Sequence, residues 1–593
     1  MKPAIRVFFA IGTIFSASAL ADVQYKIDLR QPEHQLAQVE VIFPSANTAS
    51  LTVNLPVWRT GKYQVLPLAD GIRQFSAFDA QGAPLAVTRT ASGEWQVALT
   101  EPTSVRVTYQ IHGDMLGSRV RHIDESHAFL DASGVFVYSP EFRDDNLRVS
   151  LEVPEGWNSY SGMTSGWQPH TFVAPNYDVL VDSPIETGIS QMRSFSANGR
   201  EYELVVWGEG NYNLDQMEQD LKALSATAEV IWDDYPFERY VYMVHATSGE
   251  RGATEHLNST IIQLPRFNFR ERKDYLRFIG TASHEFIHTW NVKQYRPEGL
   301  AKYEYQQETI SPLLWLSEGS TSYFQYQLLL RAGVITHDEF MEDIAKRISN
   351  NLNRPGASQQ SIAEASETTW IAQGGDYSTN HGVNIYSEGF LVSLALDFDL
   401  LEQTGLKHSY RDVHRRLYRD FRLPAGFGVA DVKGILADLS GRSYDDWWQQ
   451  HIDSPWQANY PELLALAGLE LSYGKEQQVE ADLGVTLGKT SLRLSHVKRD
   501  GAAWKAGLHA GDEIVAINGL KVTADGFDKR LQDFEPGQQI EVSFFNDDIL
   551  TRRTVVLEEK PKGKLQIKPL EGVSDSQKAF FKAWLGIDWP YQS

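Results

Sequence analysis

The stretch His284-Glu285-Phe286-Ile287-His288 has the spacing H-E-x-x-H. On a helix, positions i and i+4 lie one above the other on the same face. The imidazoles of His284 and His288 can then share one metal ion, and Glu285 can reach a water on that ion as a general base. The flanks favour a buried helix over 272–290. Phe278, Ile279, Ala282, Phe286, Ile287 and Trp290 give it an apolar surround, and no proline interrupts before Pro297. Taken alone, the same five residues also describe a helix that happens to carry two histidines and a glutamate.

A third donor narrows the choice. Hydrolytic zinc takes three protein ligands and keeps a fourth position for water. Glu318 sits in a second helical pattern, Leu313 to Phe324, among apolar and aromatic residues. A carboxylate buried there needs a partner. Either an arginine or lysine pairs with it, or it joins His284 and His288 on a metal. Two histidines and one glutamate are the ligand type of the thermolysin-like zinc peptidases. Other divalent ions fit such donors too.

The start of the chain reads as an export signal. Lys2 and Arg6 precede an apolar run from Val7 to Phe15, and Ala19-Leu20-Ala21 is a small-x-small cleavage site before Asp22. The run is short for a bilayer span, although an uncleaved anchor is the rival reading. The type of signal points to a bacterial periplasm. There is no cysteine, so neither a disulfide nor a lipidated cysteine supports the fold. The formal net charge of −22 argues against nucleic acid or an anionic membrane as partner. No later segment has the length and apolarity of a transmembrane helix.

A chain of 593 residues predicts about three domains. The reading is multidomain α+β. Residues 22–190 alternate with period two, at Val23 to Leu29, Ala37 to Phe43, Ser50 to Leu55 and Ser104 to His112, and predict a β-rich domain. Within it, Leu55 to Tyr63 carries aromatics that fit a core or the wall of a cleft. Residues 195–466 form a mainly helical domain with a few strands. They open with a strand at Tyr202 to Trp207, an amphipathic helix from Leu214 to Trp232, and strands at Tyr240 to His245 and Ile261 to Leu264. Glu255 falls in a predicted loop before the last of these. It is either a surface glutamate or a partner for a positive substrate amine beside a strand edge. Tyr386, ahead of an apolar helix from Leu391 to Leu401, is either an amphipathic core tyrosine or a donor to a developing oxyanion.

Residues 475–562 look like a PDZ domain. The pattern A-x-x-A-G-L-x-x-G-D-x-I-x-x-I-N-G runs from Ala503 to Gly519. Such domains take a peptide C-terminus as an added strand, with loop amides around Leu483, Gly484 and Val485 meeting its carboxylate. Alternatively, the chain itself covers the groove. The tail, 563–593, has Phe580, Phe581, Trp584 and Leu585 at helical spacing and predicts a docking helix.

Together these pieces resemble the glycyl aminopeptidase family of zinc peptidases. The resemblance rests on Leu55 to Tyr63, Glu255-His256, His284 to Asn291, Leu314 to Tyr323, the Tyr386 segment and the PDZ unit. It implies a thermolysin-like catalytic domain that removes N-terminal glycine or alanine from peptides. It also implies zinc on His284, His288 and Glu318, with Glu285 activating water. By the same resemblance Glu255 holds the free amine and Tyr386 steadies the oxyanion. One departure stands out: Glu388 replaces the lysine of the related Y-x-K-G segment. Two other functions remain open, a PDZ-guided endopeptidase and a non-catalytic peptide-binding scaffold. The oligomeric state is left open.

Overall fold

The computed structural model describes residues 22–117, 119–474 and 478–591. The predicted export signal, residues 1–21, lies outside the described residues. Strand Val23–Asp28 shows why the first part is a sheet. Val23, Tyr25 and Ile27 are buried while Gln24 and Lys26 face out. It pairs antiparallel with Leu36–Ala46 and parallel with Leu147–Glu152, inside an eight-stranded sheet. A five-stranded and a three-stranded sheet complete the β-rich unit, which runs to Gln191 without residues 61–65.

Gly61–Val65 belong instead to the second unit, with everything from Met192 on. A five-stranded sheet opens this unit, in the order Ser190–Ala197, Arg200–Trp207, Arg239–Thr247, Ser259–Pro265, Gly252–Glu255. The last of these is an antiparallel edge strand, so the stretch predicted as a loop is half strand. Glu255 ends it and is 4% exposed, which removes the surface reading. The helix predicted from Leu214 to Trp232 stops at Ser225. Thr227 Oγ1 turns back to the Leu224 carbonyl at 2.7 Å, and a short 3-10 turn follows. Trp232 is still buried, stacked on Trp290 with centroids 4.6 Å apart. Its apolar signal came from packing, not from helix.

Three helices matter for the site: Arg272–His288, Leu314–Arg331 and Ser387–Gln403. The second and third cross at Gly319 and Gly389. A Cβ on either glycine would run into the other's backbone, 2.9 Å away when built on Gly389. This contact sets Glu318 and the start of the third helix side by side.

The PDZ region has a core that includes Leu483, Leu494, Val497, Leu508, Ile514 and Phe527. Strand Val485–Leu487 pairs with Leu494–Val497, and Glu513–Ile517 pairs with Gln539–Asn546. Strand Leu565–Pro569, which falls in the predicted tail, returns to pair with Leu469–Tyr473. Helix Asp575–Leu585 follows, opened by a capping box of Ser574 and Gln577, and buries Phe580, Phe581, Trp584 and Leu585. Among the described residues, no helix is long and apolar enough to cross a membrane.

Candidate active site

Helix Arg272–His288 brings the two histidine rings together at its C-terminal end. His284 Nε2 and His288 Nε2 are 3.1 Å apart. Each ring is held from its other nitrogen: His284 Nδ1 by Gln325 Oε1 at 2.9 Å, and His288 Nδ1 by the Asn291 carbonyl at 2.8 Å. An Nδ1 that donates leaves the Nε2 of a neutral imidazole as a bare lone pair. The two Nε2 atoms face each other at 3.1 Å, close enough to share a proton or, once both are bare, one metal ion. Glu318 Oε2 lies 3.6 Å from His284 Nε2 and 3.3 Å from His288 Nε2. The donor set, two imidazoles and a carboxylate, fits zinc.

The electrostatics ask for the same thing. Burial lowers the pKa of His284. Burial also acts on His288, but the Glu318 carboxylate outweighs it, and with Glu255 and Glu285 takes this imidazole up to about 10. Glu318 is held far below the usual carboxyl range, against its burial, by His288 and His284. A buried pocket that holds this much negative charge takes up a proton or a metal ion.

Asn291 locks the two ligand helices. Its Nδ2 donates to the carbonyls of Leu316 and Ser317, each at 3.1 Å, and to Thr321 Oγ1 at 2.9 Å. Glu318 is therefore fixed from the end of the histidine helix. Glu285 is 7% exposed. An oxygen of Glu285, an oxygen of Glu255 and a ring nitrogen of His288 lie within 4.8 Å of one another. Glu255 approaches Lys293, with Nζ 3.9 Å from Oε1, and its Oε1 makes no hydrogen bond. Gly61 lies against the same carboxylate, and a Cβ there would collide with it. Tyr386 is 37% exposed and its ring centroid is 6.1 Å from that of His284, so it is not a core tyrosine.

Tyr63 shows a role that spacing did not reveal. Its hydroxyl donates to Glu318 Oε1 at 3.0 Å, leaving Oε2 toward the histidines. Its ring meets Trp370 edge-on at 6.0 Å. Such supports of a metal ligand are worth roughly 10- to 100-fold in affinity. Tyr63→Phe should weaken zinc binding by about tenfold, read by competition with a chromogenic chelator. An affinity within about twofold of the parent's would show that Glu318 needs no such brace.

Glu388 turns away into the protein. Both of its oxygens accept from Asn351 Nδ2 at 2.8 Å, and Asn351 Oδ1 accepts from Tyr460 at 2.7 Å. Burial raises its pKa to about 7 from 4.5, against the Asn351 hydrogen bond and nearby Arg354. The folded state thus holds this proton more tightly than the unfolded chain does. Its stabilising effect is complete below pH 4.5 and is lost as pH rises toward 7. Glu388→Gln removes that dependence. Its stability relative to the parent should climb across this window and level off above it, gaining on the order of 2 kcal/mol. Urea denaturation at pH 5 and pH 8 checks this, and an equal difference at both would sink it.

Residues 24–189 match the peptidase M61 N-terminal domain, residues 277–392 the M61 glycyl aminopeptidase domain, and residues 463–529 a PDZ domain. The chain belongs to the M61 glycyl aminopeptidase family. It is a zinc peptidase. A solved aminopeptidase N family protein from Idiomarina loihiensis is 25% identical, with a TM-score of 0.88 over 95% of this chain and 100% of its own. An M1 zinc metallopeptidase from Deinococcus radiodurans, solved with a Tyr-Ser-Ala substrate, is 14% identical. Its TM-score is 0.49 over 75% of this chain and 96% of its own. No curated protein matches the chain. In the M61 peptidase the glycyl aminopeptidase match takes in His284, Glu285, His288, Glu318 and Tyr386, while Glu255 precedes it and Tyr63 lies in the N-terminal match.

Proposed function

We propose that this peptidase is an aminopeptidase that releases N-terminal glycine or alanine, exported to a bacterial periplasm. The observation that carries the first part is Glu255: a buried carboxylate with a hydrogen-bond vacancy on Oε1, beside the triad of donors. A substrate ammonium placed there gains a charge-assisted hydrogen bond, and a blocked or internal nitrogen gains none.

His284, His288 and Glu318 would hold the zinc, which would supply a Lewis acid and an acidified water. Glu285 would act as the general base toward the attacking water and return the proton to the leaving amine. Tyr386 donates its hydroxyl to the carbonyl oxygen as negative charge develops there. Gly61 seats the Glu255 carboxylate where a larger residue would displace it. The PDZ amides at Leu483, Gly484 and Val485 meet a peptide C-terminus.

The test compares glycine and alanine anilides with their amino-acetylated forms. Free amines should be cut and blocked ones spared. Glu255→Ala should lower kcat/KM roughly 10- to 100-fold, the worth of one hydrogen bond to a charged group. Cleavage of blocked peptides would replace this reading with the endopeptidase one, which the PDZ unit favours. Export is tested by N-terminal sequencing of the periplasmic protein, expected to start at Asp22. An uncleaved start in the membrane fraction would overturn it.

A further inference from the structure

Helix Gly375–His381 has the sequence Gly-Asp-Tyr-Ser-Thr-Asn-His, with no aliphatic side chain. Tyr377 is 75% exposed, and Asn380 is the helix's one buried residue. Hydrophobic packing therefore does little to hold this helix in place. Polar contacts hold it instead, from Arg354 Nη2 to the Ser378 carbonyl at 3.0 Å and from the PDZ strand Leu494–Val497. Asp376 Oδ1 accepts from Val497 N at 2.9 Å, and Asn380 Nδ2 donates to Val497 O at 2.9 Å. Asn380 Oδ1 accepts from Arg499 N at 2.8 Å. His496 Nδ1 approaches Asp376 Oδ1 at 2.7 Å, and the Arg499 guanidinium reaches His381 Nδ1 at 3.0 Å and Gln359 Oε1 at 2.9 Å. The two side chains act as a strand partner for the edge opposite Val485–Leu487.

From His381 the chain runs five residues to Tyr386. Gly382 O accepts from Arg354 Nε at 2.7 Å, Val383 N donates to Gln360 Oε1 at 3.1 Å, and Asn384 Oδ1 accepts from Tyr386 N at 2.9 Å. Arg354 also holds Ser378 O within the helix at 3.0 Å, so a displaced helix pulls on the same side chain that fixes Gly382, four residues before the tyrosine.

We propose that Asp376 and Asn380 are positioning residues: by clasping the PDZ strand they hold Tyr386 at the metal site, so the PDZ unit is a working part of the catalytic centre. This rests on the reading of Tyr386 given above. Asp376→Ala and Asn380→Ala, singly and together, are made in the full chain. The double variant should lose kcat on an alanine anilide roughly 10- to 100-fold, the scale of a small misplacement near the chemistry. KM and zinc content should stay within about twofold, since polar contacts far from the substrate carry little ground-state binding. Amide hydrogen exchange over residues 382–386 should rise.

Asp376→Asn keeps the acceptor for Val497 and should recover most of the rate. Asn380→Asp keeps the acceptor for Arg499, loses only the donor, and should fall between; it also serves if the double variant does not fold. A clasp that only joins domains would lower Tm and leave kcat unchanged, and that result overturns the proposal, as does unchanged exchange over 382–386. Tyr386→Phe is measured in the same series. In that background the clasp variants should cost no further kcat. If Tyr386→Phe itself leaves kcat intact, the oxyanion reading fails, and the exchange data alone decide the clasp.

Discussion

Glu285→Gln leaves the protein folded and loaded with zinc, and lowers kcat/KM on an alanine anilide by roughly 100- to 10,000-fold. Glutamine keeps the shape and most of the packing of this nearly buried side chain, but it cannot take a proton. Removing the carboxylate also removes a negative charge that lies within 4.8 Å of an oxygen of Glu255. Glu255 keeps its own charge for a substrate ammonium, so the lost neighbour should raise KM only modestly while kcat falls. Metal analysis of the purified variant separates this from loss of zinc. A rate within about tenfold of the parent's would mean that some other group handles the proton, because general-base catalysis rarely contributes so little.

Trp584→Ala should destabilise the second unit by about 3–5 kcal/mol, the range for deleting a buried tryptophan side chain. Trp584 is fully buried and packs edge-on to Phe398 at 4.8 Å. Its Nε1 donates to Tyr323 Oη at 2.8 Å, and Tyr323 donates to Asp397 at 2.6 Å. Arg411 and Arg331 bind its carbonyl from the other side. Tyr323 stands on the helix that carries Glu318, five residues further on. The damage should therefore reach the metal: the variant should lose zinc at lower chelator concentration than the parent, as well as melting earlier. A lowered Tm with unchanged zinc affinity would show that the tail helix stabilises the fold without bracing the ligand.

Features encoded by local spacing were legible before the structure. The apolar surround of His284 and His288 is the buried face of one helix, and the segment around Glu318 is another. The alternation at Val23 to Leu29 is a sheet, and Phe580, Phe581, Trp584 and Leu585 in the tail are a docking face. Features that depend on distant pairing were not legible. Tyr63 lies 255 residues before its acceptor, Glu318, and nothing around it marks a partner for a ligand. Glu255 looked like a loop residue because its edge strand is only four residues long. Gln325 and Asn291 hold the histidine rings through ordinary amide groups that no motif singles out. Glu388 looked like a change in the electrostatics beside Tyr386, yet its side chain is bonded inward to Asn351, so its charge falls on stability.

The placement of Gly61–Val65 bears on how this protein can be divided. The family matches assign residues 24–189 to a separate module and resume at residue 277, inside the histidine helix. The catalytic unit does not respect that division, since the brace on Glu318 and the seat of Glu255 both come from five residues on the far side of it. A fragment beginning at Met192 would keep His284, Glu285, His288 and Glu318, yet lack Tyr63 and Gly61. Such a fragment would be an incomplete enzyme. Recombination that swaps the N-terminal module between relatives would therefore exchange part of the active site with it, which couples the inheritance of the two halves more tightly than their separate folds suggest.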